Sequence, residues 1–103
     1  MYLITLYVPE TEAEKVKQAL FDSGAGRIGN YSHCCFESSG LGQFLPLNGA
    51  HPAIGEIGAI QKVNELKIEM VCSEDLIKKA ITALKNSHPY ETPAYNVTKT
   101  LDY

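Results

Sequence analysis

The hydrophobic period of this chain changes twice in the same way, from two residues to that of a helix. Over residues 63–72, Leu66, Ile68, Met70 and Cys72 fall on one side, and Lys67, Glu69 and Val71 on the other. Such alternation marks a strand with one covered face. Directly after it, Leu76, Ile77, Ala80, Ile81 and Leu84 form an apolar stripe at helical spacing. The same succession stands near the start of the chain. Residues 3–8 alternate and are rich in β-formers, and Pro9 stops them. Ala13, Val16, Ala19 and Leu20 then line one face of a helix reaching to about Asp22. Two strand-then-helix units in about a hundred residues leave few ways to build a core.

Local signals fill in the rest. Thr11 and Glu14 have the spacing of a capping box, and Ser73 reads as the N-cap of the second helix, with Glu74 and Asp75 at its positive end. Ser23-Gly24 ends the first helix, because glycine accepts the left-handed conformation such ends adopt. Residues 28–38 read as a second strand, 39–42 as a turn and 43–47 as a short return strand. Residues 48–59 read as loop, 88–93 as a connector stiffened by two prolines, and 95–101 as a last strand. The order β-α-β-(β)-β-α-β predicts an α+β fold. It is a ferredoxin-like βαββαβ sandwich with an extra β-hairpin arm between strands two and three, in one domain over residues 1–103. Both helices would cover one face of the sheet. The other face, with Val71, Tyr31 and Cys35 as candidates, would then be buried in a homo-oligomer.

Composition narrows the function classes. The net charge is −3, and of nine Lys and Arg only Lys78 and Lys79 are adjacent, which argues against a nucleic-acid footprint. No apolar run reaches the roughly 20 residues of a membrane span, and no basic-then-apolar leader precedes the first strand. Three cysteines, two of them adjacent, make a poor disulfide framework and suit a reducing cytoplasm.

Two stretches stand out as candidate sites. The first is Gly24-Ala25-Gly26-Arg27-Ile28-Gly29-Asn30-Tyr31. Its first reading is a tight helix-to-strand connection. Its second is an anion cradle, with backbone at Gly26, Gly29 and Asn30 and the Arg27 side chain as ligand contacts. The direction of the bend, out of a helix into a strand, is opposite to that of phosphate loops. The second stretch is His88-Pro89-Tyr90-Glu91-Thr92-Pro93. His88, Tyr90 and Glu91 would fix the connector by hydrogen bonds or touch a ligand. His88 and Glu91 could also supply two ligands to a divalent metal ion, which needs three or four. No Ser-His-Asp order, Cys-x-x-Cys pair or Walker loop is present.

The glycine stretch is followed by Cys35-Phe36, Gly40-Leu41-Gly42-Gln43-Phe44, Pro52-Ala53-Ile54-Gly55 and Glu65-Leu66-Lys67-Ile68-Glu69, then His88-Pro89-Tyr90-Glu91 and Ala94-Tyr95. This ordered set resembles the middle domain of the NGG-interacting-factor-three-like family. In long members of that family two flanking halves assemble a dinuclear metal site, and some carry the label of GTP cyclohydrolase homologues. The domain inserted between the halves is similar to PII and CutA proteins, which are ferredoxin-like and trimeric. The resemblance implies a stand-alone copy of that inserted domain, a homotrimer, and none of the metal ligands of the halves. It implies a non-enzymatic oligomeric module that binds a small anion, another small ligand or a metal ion. Clefts between subunits would be lined by the glycine bend, the hairpin arm and the connector. A metal-dependent hydrolase and an oligomerising scaffold for a protein partner stand as the alternatives.

Overall fold

The computed structural model describes residues 1–103. Strand β1 (Tyr2–Pro9) leads through a short 3-10 turn (Glu10–Glu12) into helix α1 (Ala13–Asp22). Strands β2 (Phe36–Phe44) and β3 (Gln61–Cys72), helix α2 (Ile77–Ser87) and strand β4 (Tyr95–Lys99) follow. The four strands form one sheet in the order β2-β3-β1-β4, every neighbouring pair antiparallel. This is the ferredoxin-like arrangement that the alternation of periods predicts.

The core lies between the sheet and the two helices. Ile4, Leu6 and Val8 of β1 and Ile68, Met70 and Cys72 of β3 point the same way. They meet Val16 and Leu20 of α1 and Ala80 and Leu84 of α2, all essentially without solvent contact. Leu66, Ile77 and Ile81 pack against the edge of this cluster. The opposite face of the sheet carries no helix. By register it presents Leu3, Thr5 and Tyr7 beside Val71, Glu69 and Lys67, with Phe36 and Ser38 of β2 next in line. Phe36 is 70% exposed there.

The end of α1 follows the sequence reading in detail. Ala25 N–H donates to Leu20 C=O at 3.2 Å and Gly24 N–H to Phe21 C=O at 3.0 Å. Gly24 has φ of 101°. These two bonds are the Schellman closure, and buried Ala25 seals it against the core.

The helix starts differ from expectation. Thr11 lies inside the 3-10 turn, so α1 begins two residues later at Ala13, and no side chain caps it. The α2 start is also uncapped by a side chain. Ser73 instead offers its carbonyl to Leu76 N–H at 3.2 Å, closing a turn ahead of the helix.

The hairpin arm is built differently from the reading as well. Residues 39–42 are not a turn but the middle of β2, which runs unbroken from Phe36 to Phe44 against β3. No separate return strand forms at 43–47. The arm is the far end of the β2–β3 ribbon, where Leu41–Phe44 pair with Gln61–Asn64 beyond the last β1 partner, Glu65. Strand β3 has 12 residues, about 40 Å at the rise of an extended chain, so the arm helps stretch the molecule to 46 × 24 × 24 Å. Residues 45–60 form the tip, held by Gly58 N–H to Pro46 C=O at 2.9 Å and Ala50 N–H to Leu47 C=O at 3.0 Å.

The strand expected from residue 28 begins only at Phe36. Ahead of it, Ile28 and Tyr31 exchange two backbone bonds of 3.0 Å around Gly29-Asn30. Gly29 and His33 have φ of 57° and 59°, which an extended strand excludes. Tyr31 therefore projects from a turn, 76% exposed. Cys35 packs toward the helical core, and not on the open face. No helix is long and apolar enough to cross a membrane.

Candidate functional site

The connector after α2 is fixed by His88. This residue is buried, and its two ring nitrogens serve two backbone groups. Nδ1 accepts from Tyr90 N–H at 3.1 Å, and Nε2 lies 2.7 Å from Tyr7 C=O. A nitrogen that accepts carries no proton, so Nε2 carries it and donates to the carbonyl. Tyr7 N–H in turn donates to Ala94 C=O at 3.3 Å. The chain from 88 to 94 is thus clipped to β1 at both ends. His88 has no lone pair left for a metal while this shape holds.

Glu91 reaches the other way. Its carboxylate accepts from His51 N–H, at 3.1 Å to Oε1 and 3.3 Å to Oε2. A charged acceptor makes this bond stronger than a neutral one. It ties the tip of the arm to the connector across 40 residues of sequence. Between tip, connector and sheet lies a cavity of about 250 Å³. Phe44, Pro46, Ala50, Pro52, Ala53, Ile54 and Ala94 give it an apolar wall, and Tyr7, Gln43, Glu65, Tyr90, Glu91 and Thr92 supply the polar atoms. The Phe44 and Tyr90 rings meet with centroids 5.6 Å apart, tilted at 59°. No Lys, Arg or His lines the space.

Two polar groups here are unmatched. The Tyr90 hydroxyl is buried from water and makes no hydrogen bond. Burial first, and the Glu65 carboxylate beside it second, push this phenol up to about 12. The two groups are neighbours without meeting hydrogen-bond geometry. Glu65 itself is half-buried and lies over Gly42, where any Cβ would fall inside its carboxylate. No cation stands within 4 Å of it, since the ion pairs of the chain are those of Lys17 with Glu14 and Glu37.

The glycine bend is elsewhere. Gly26 N–H donates to Val71 C=O at 2.8 Å, and Gly26 C=O accepts from Cys34 N–H at 2.8 Å. Val71 is six residues along β3 from Glu65, about 20 Å at 3.3 Å per residue. Within one chain, therefore, Tyr90 and Glu91 share a cavity that His88 shapes. Gly26, Arg27, Gly29 and Asn30 sit at the far end of the sheet. Arg27 and Asn30 are exposed, and Arg27 makes no ion pair.

Burial pushes the Cys35 and Cys72 thiols above the ordinary range, which keeps them in the unreactive protonated form. No three His, Cys, Asp or Glu side chains converge anywhere in the chain, so its residues alone do not form a metal site.

Tyr7, Phe44 and Glu65 line the cavity without having been expected there. Nothing local marks them, because they come from three strands whose register only the fold sets. The one visible trace is Gly42, a glycine inside a strand, which often signals that something approaches the backbone closely.

No family model matches the chain. It is 46% identical over 97 residues to the "GTP cyclohydrolase 1 type 2 homolog" of Halalkalibacterium halodurans, covering 94% of this chain and 26% of the relative. A solved Bacillus cereus protein related to NIF3 superposes with a TM-score of 0.80 at 43% identity, over 94% of this chain and 24% of that one. CutA1 from Pyrococcus horikoshii superposes with a TM-score of 0.71 at 20% identity, over all of this chain and 86% of the other, a likeness of fold. The chain spans about a quarter of the length of the curated relatives it matches. Along nearly all of its residues, and in sheet order and helix placement, the chain is thus similar to about a quarter of these NIF3-related proteins, a segment whose fold is CutA-like.

Proposed function

We propose that the chain is an oligomeric binding module for a small molecule, and that the cavity beneath the arm tip is its site. The observation that carries this is the cavity itself, a formed space walled by apolar side chains with the unpaired Glu65 carboxylate at its edge. Half-buried charge without a partner is costly, and a ligand would supply the partner. Tyr90 and Glu91 belong to the wall, and His88 holds them in place. Gly26, Arg27, Gly29 and Asn30 join the site only across a subunit boundary, from a neighbouring copy.

The assembly is a homotrimer in this reading. Supporting it are the CutA-like fold and an uncovered sheet face. The arm adds further apolar surface, with Leu41, Leu47 and Ile60 each more than 60% exposed. The three free thiols suit a reducing compartment such as the cytoplasm. In this reading the chain does not itself carry the activity that the relatives' name refers to. Of the two carboxylates in the cavity, Glu91 is already spent on His51, and no nucleophile with an adjacent base accompanies Glu65.

A metal-binding reading draws on one neighbour by fold, an Archaeoglobus fulgidus protein described as a periplasmic divalent cation tolerance protein, 17% identical. Here it would require ligands contributed by a second copy.

Native mass spectrometry of untagged protein tests the proposal. A trimer carrying additional mass, or one that takes up added small molecules stoichiometrically, is the expected result. A monomer that binds nothing would overturn it, and mass shifts specific to added zinc or manganese would favour the metal reading.

A further inference from the structure

The chemistry of the cavity wall narrows its ligand. Resting on the binding role argued above, we infer that the cavity takes a free small organic cation, an ammonium on a short apolar or aromatic body, and rejects anions. Three observations carry this.

The first is charge. Glu65 and Glu91 are the only ionic side chains in the wall, and both are acidic. Glu91 has a partner in His51 N–H, whereas Glu65 has no ion pair and only the Tyr90 hydroxyl beside it. Lys67 lies in the adjoining groove, which also touches Glu65, yet stays beyond ion-pair distance of every carboxylate. An anion entering the cavity would face negative charge that no basic side chain of the same chain's wall answers.

The second is the aromatic lining. Phe44, Tyr90 and Tyr7 line the same cavity as Glu65, and Tyr90 is its immediate neighbour. Aromatic faces attract ammonium groups and favour them further when water is excluded. Carboxylate plus aromatic faces is a cation-selective combination.

The third is size. A buried space of about 150 Å³ holds a benzene molecule. The 250 Å³ here accommodates a substituted ring or short chain of comparable bulk plus an amino group. Tyr90 acts as a positioning residue. Its hydroxyl is sealed from water beside Glu65.

The test uses the whole protein and three matched probes: 2-phenylethylamine, 2-phenylethanol and phenylacetate. Binding is followed by calorimetry and by amide shifts of residues 50–54 and 90–94. The expected result is amine binding at least tenfold tighter than either other probe, with shifts confined to those residues. Glu65→Gln should reduce amine affinity to that of the alcohol and leave the alcohol unchanged. Lys79→Gln, an exposed change on α2 away from the cavity, should change neither.

Phenylacetate binding as tightly as the amine, or an amine preference that survives Glu65→Gln, overturns the cation inference while the binding role stands. The absence of any probe-induced shift at 50–54 and 90–94, in a variant set that folds as wild type, overturns both.

Discussion

At the scale of single residues, the Tyr90 hydroxyl is the least satisfied buried polar group of the chain. A buried hydroxyl without a partner costs roughly 1–3 kcal/mol. Tyr90→Phe removes that cost and keeps the ring against Phe44 and His88. We expect unliganded Tyr90→Phe to be more stable than wild type by about 1 kcal/mol in urea unfolding. A loss of that size would mean the hydroxyl is satisfied in solution. The same group gives a pH signature. The folded phenol titrates at about 12 against an ordinary 10.0, so between these values the native state holds a proton that the unfolded chain has released. Stability from this source is complete below pH 10 and falls as pH rises toward 12. Lys17, held above the ordinary lysine range chiefly by its bond to Glu37, adds loss in the same direction. Stability measured from pH 9 to 12 should therefore fall less steeply in Tyr90→Phe. Its ultraviolet titration should lack the late phenolate step.

At the scale of elements, the turns and clips decide where the cavity sits. Gly24 needs a positive φ, and a Cβ there would also meet the Leu76 side chain at 2.6 Å. Gly29 needs a positive φ but looks onto open space. Gly24→Ala should therefore cost about 1–3 kcal/mol, and Gly29→Ala clearly less, in matched denaturant curves. Equal costs would show that the α1 closure is not packed as described. The Glu91–His51 bond makes a different prediction. Because it is exposed, Glu91→Ala should lower global stability by under about 1 kcal/mol. It should nevertheless release the arm tip, so amide exchange across residues 45–60 should accelerate at least tenfold. Unchanged exchange would mean the tip is held by its own turns. The fold of this region was only partly legible in the sequence. The glycines at 40 and 42 read as a turn because glycine usually breaks a strand, whereas here Gly42 makes room for a side chain from the neighbouring strand.

At the scale of the whole molecule, the uncovered face and the projecting arm ask for a partner. The second copy proposed here would cover Phe36, Val71 and Leu3 on the sheet and the apolar residues of the arm. Phe36→Asp puts a charge on that face, on its edge strand β2, in a residue that contributes nothing to the monomer core. Light scattering after size exclusion should show wild type as a trimer and Phe36→Asp as a smaller species with unchanged circular dichroism. A trimer in both would place the interface elsewhere.

The sequence by itself determined the class of fold, the buried faces and the helix end. Periodicity and glycine chemistry are local properties: Ile4, Leu6, Val16, Leu20, Ile68, Met70, Ala80 and Leu84 could be assigned from spacing because each element must bury its own apolar side. It also pointed to the connector at 88–93, because two prolines around His, Tyr and Glu are visible in one stretch. What the connector does, only the tertiary structure decided. His88 finds Tyr7 81 residues away, Glu91 finds His51 40 residues away, and the cavity gathers Tyr7, Phe44 and Glu65 from three strands. The glycine bend, which looked like a companion of the connector, lies at the opposite end of the sheet. Strand register and sheet order set those distances, and they are fixed by the packing of the whole core, not by any segment alone.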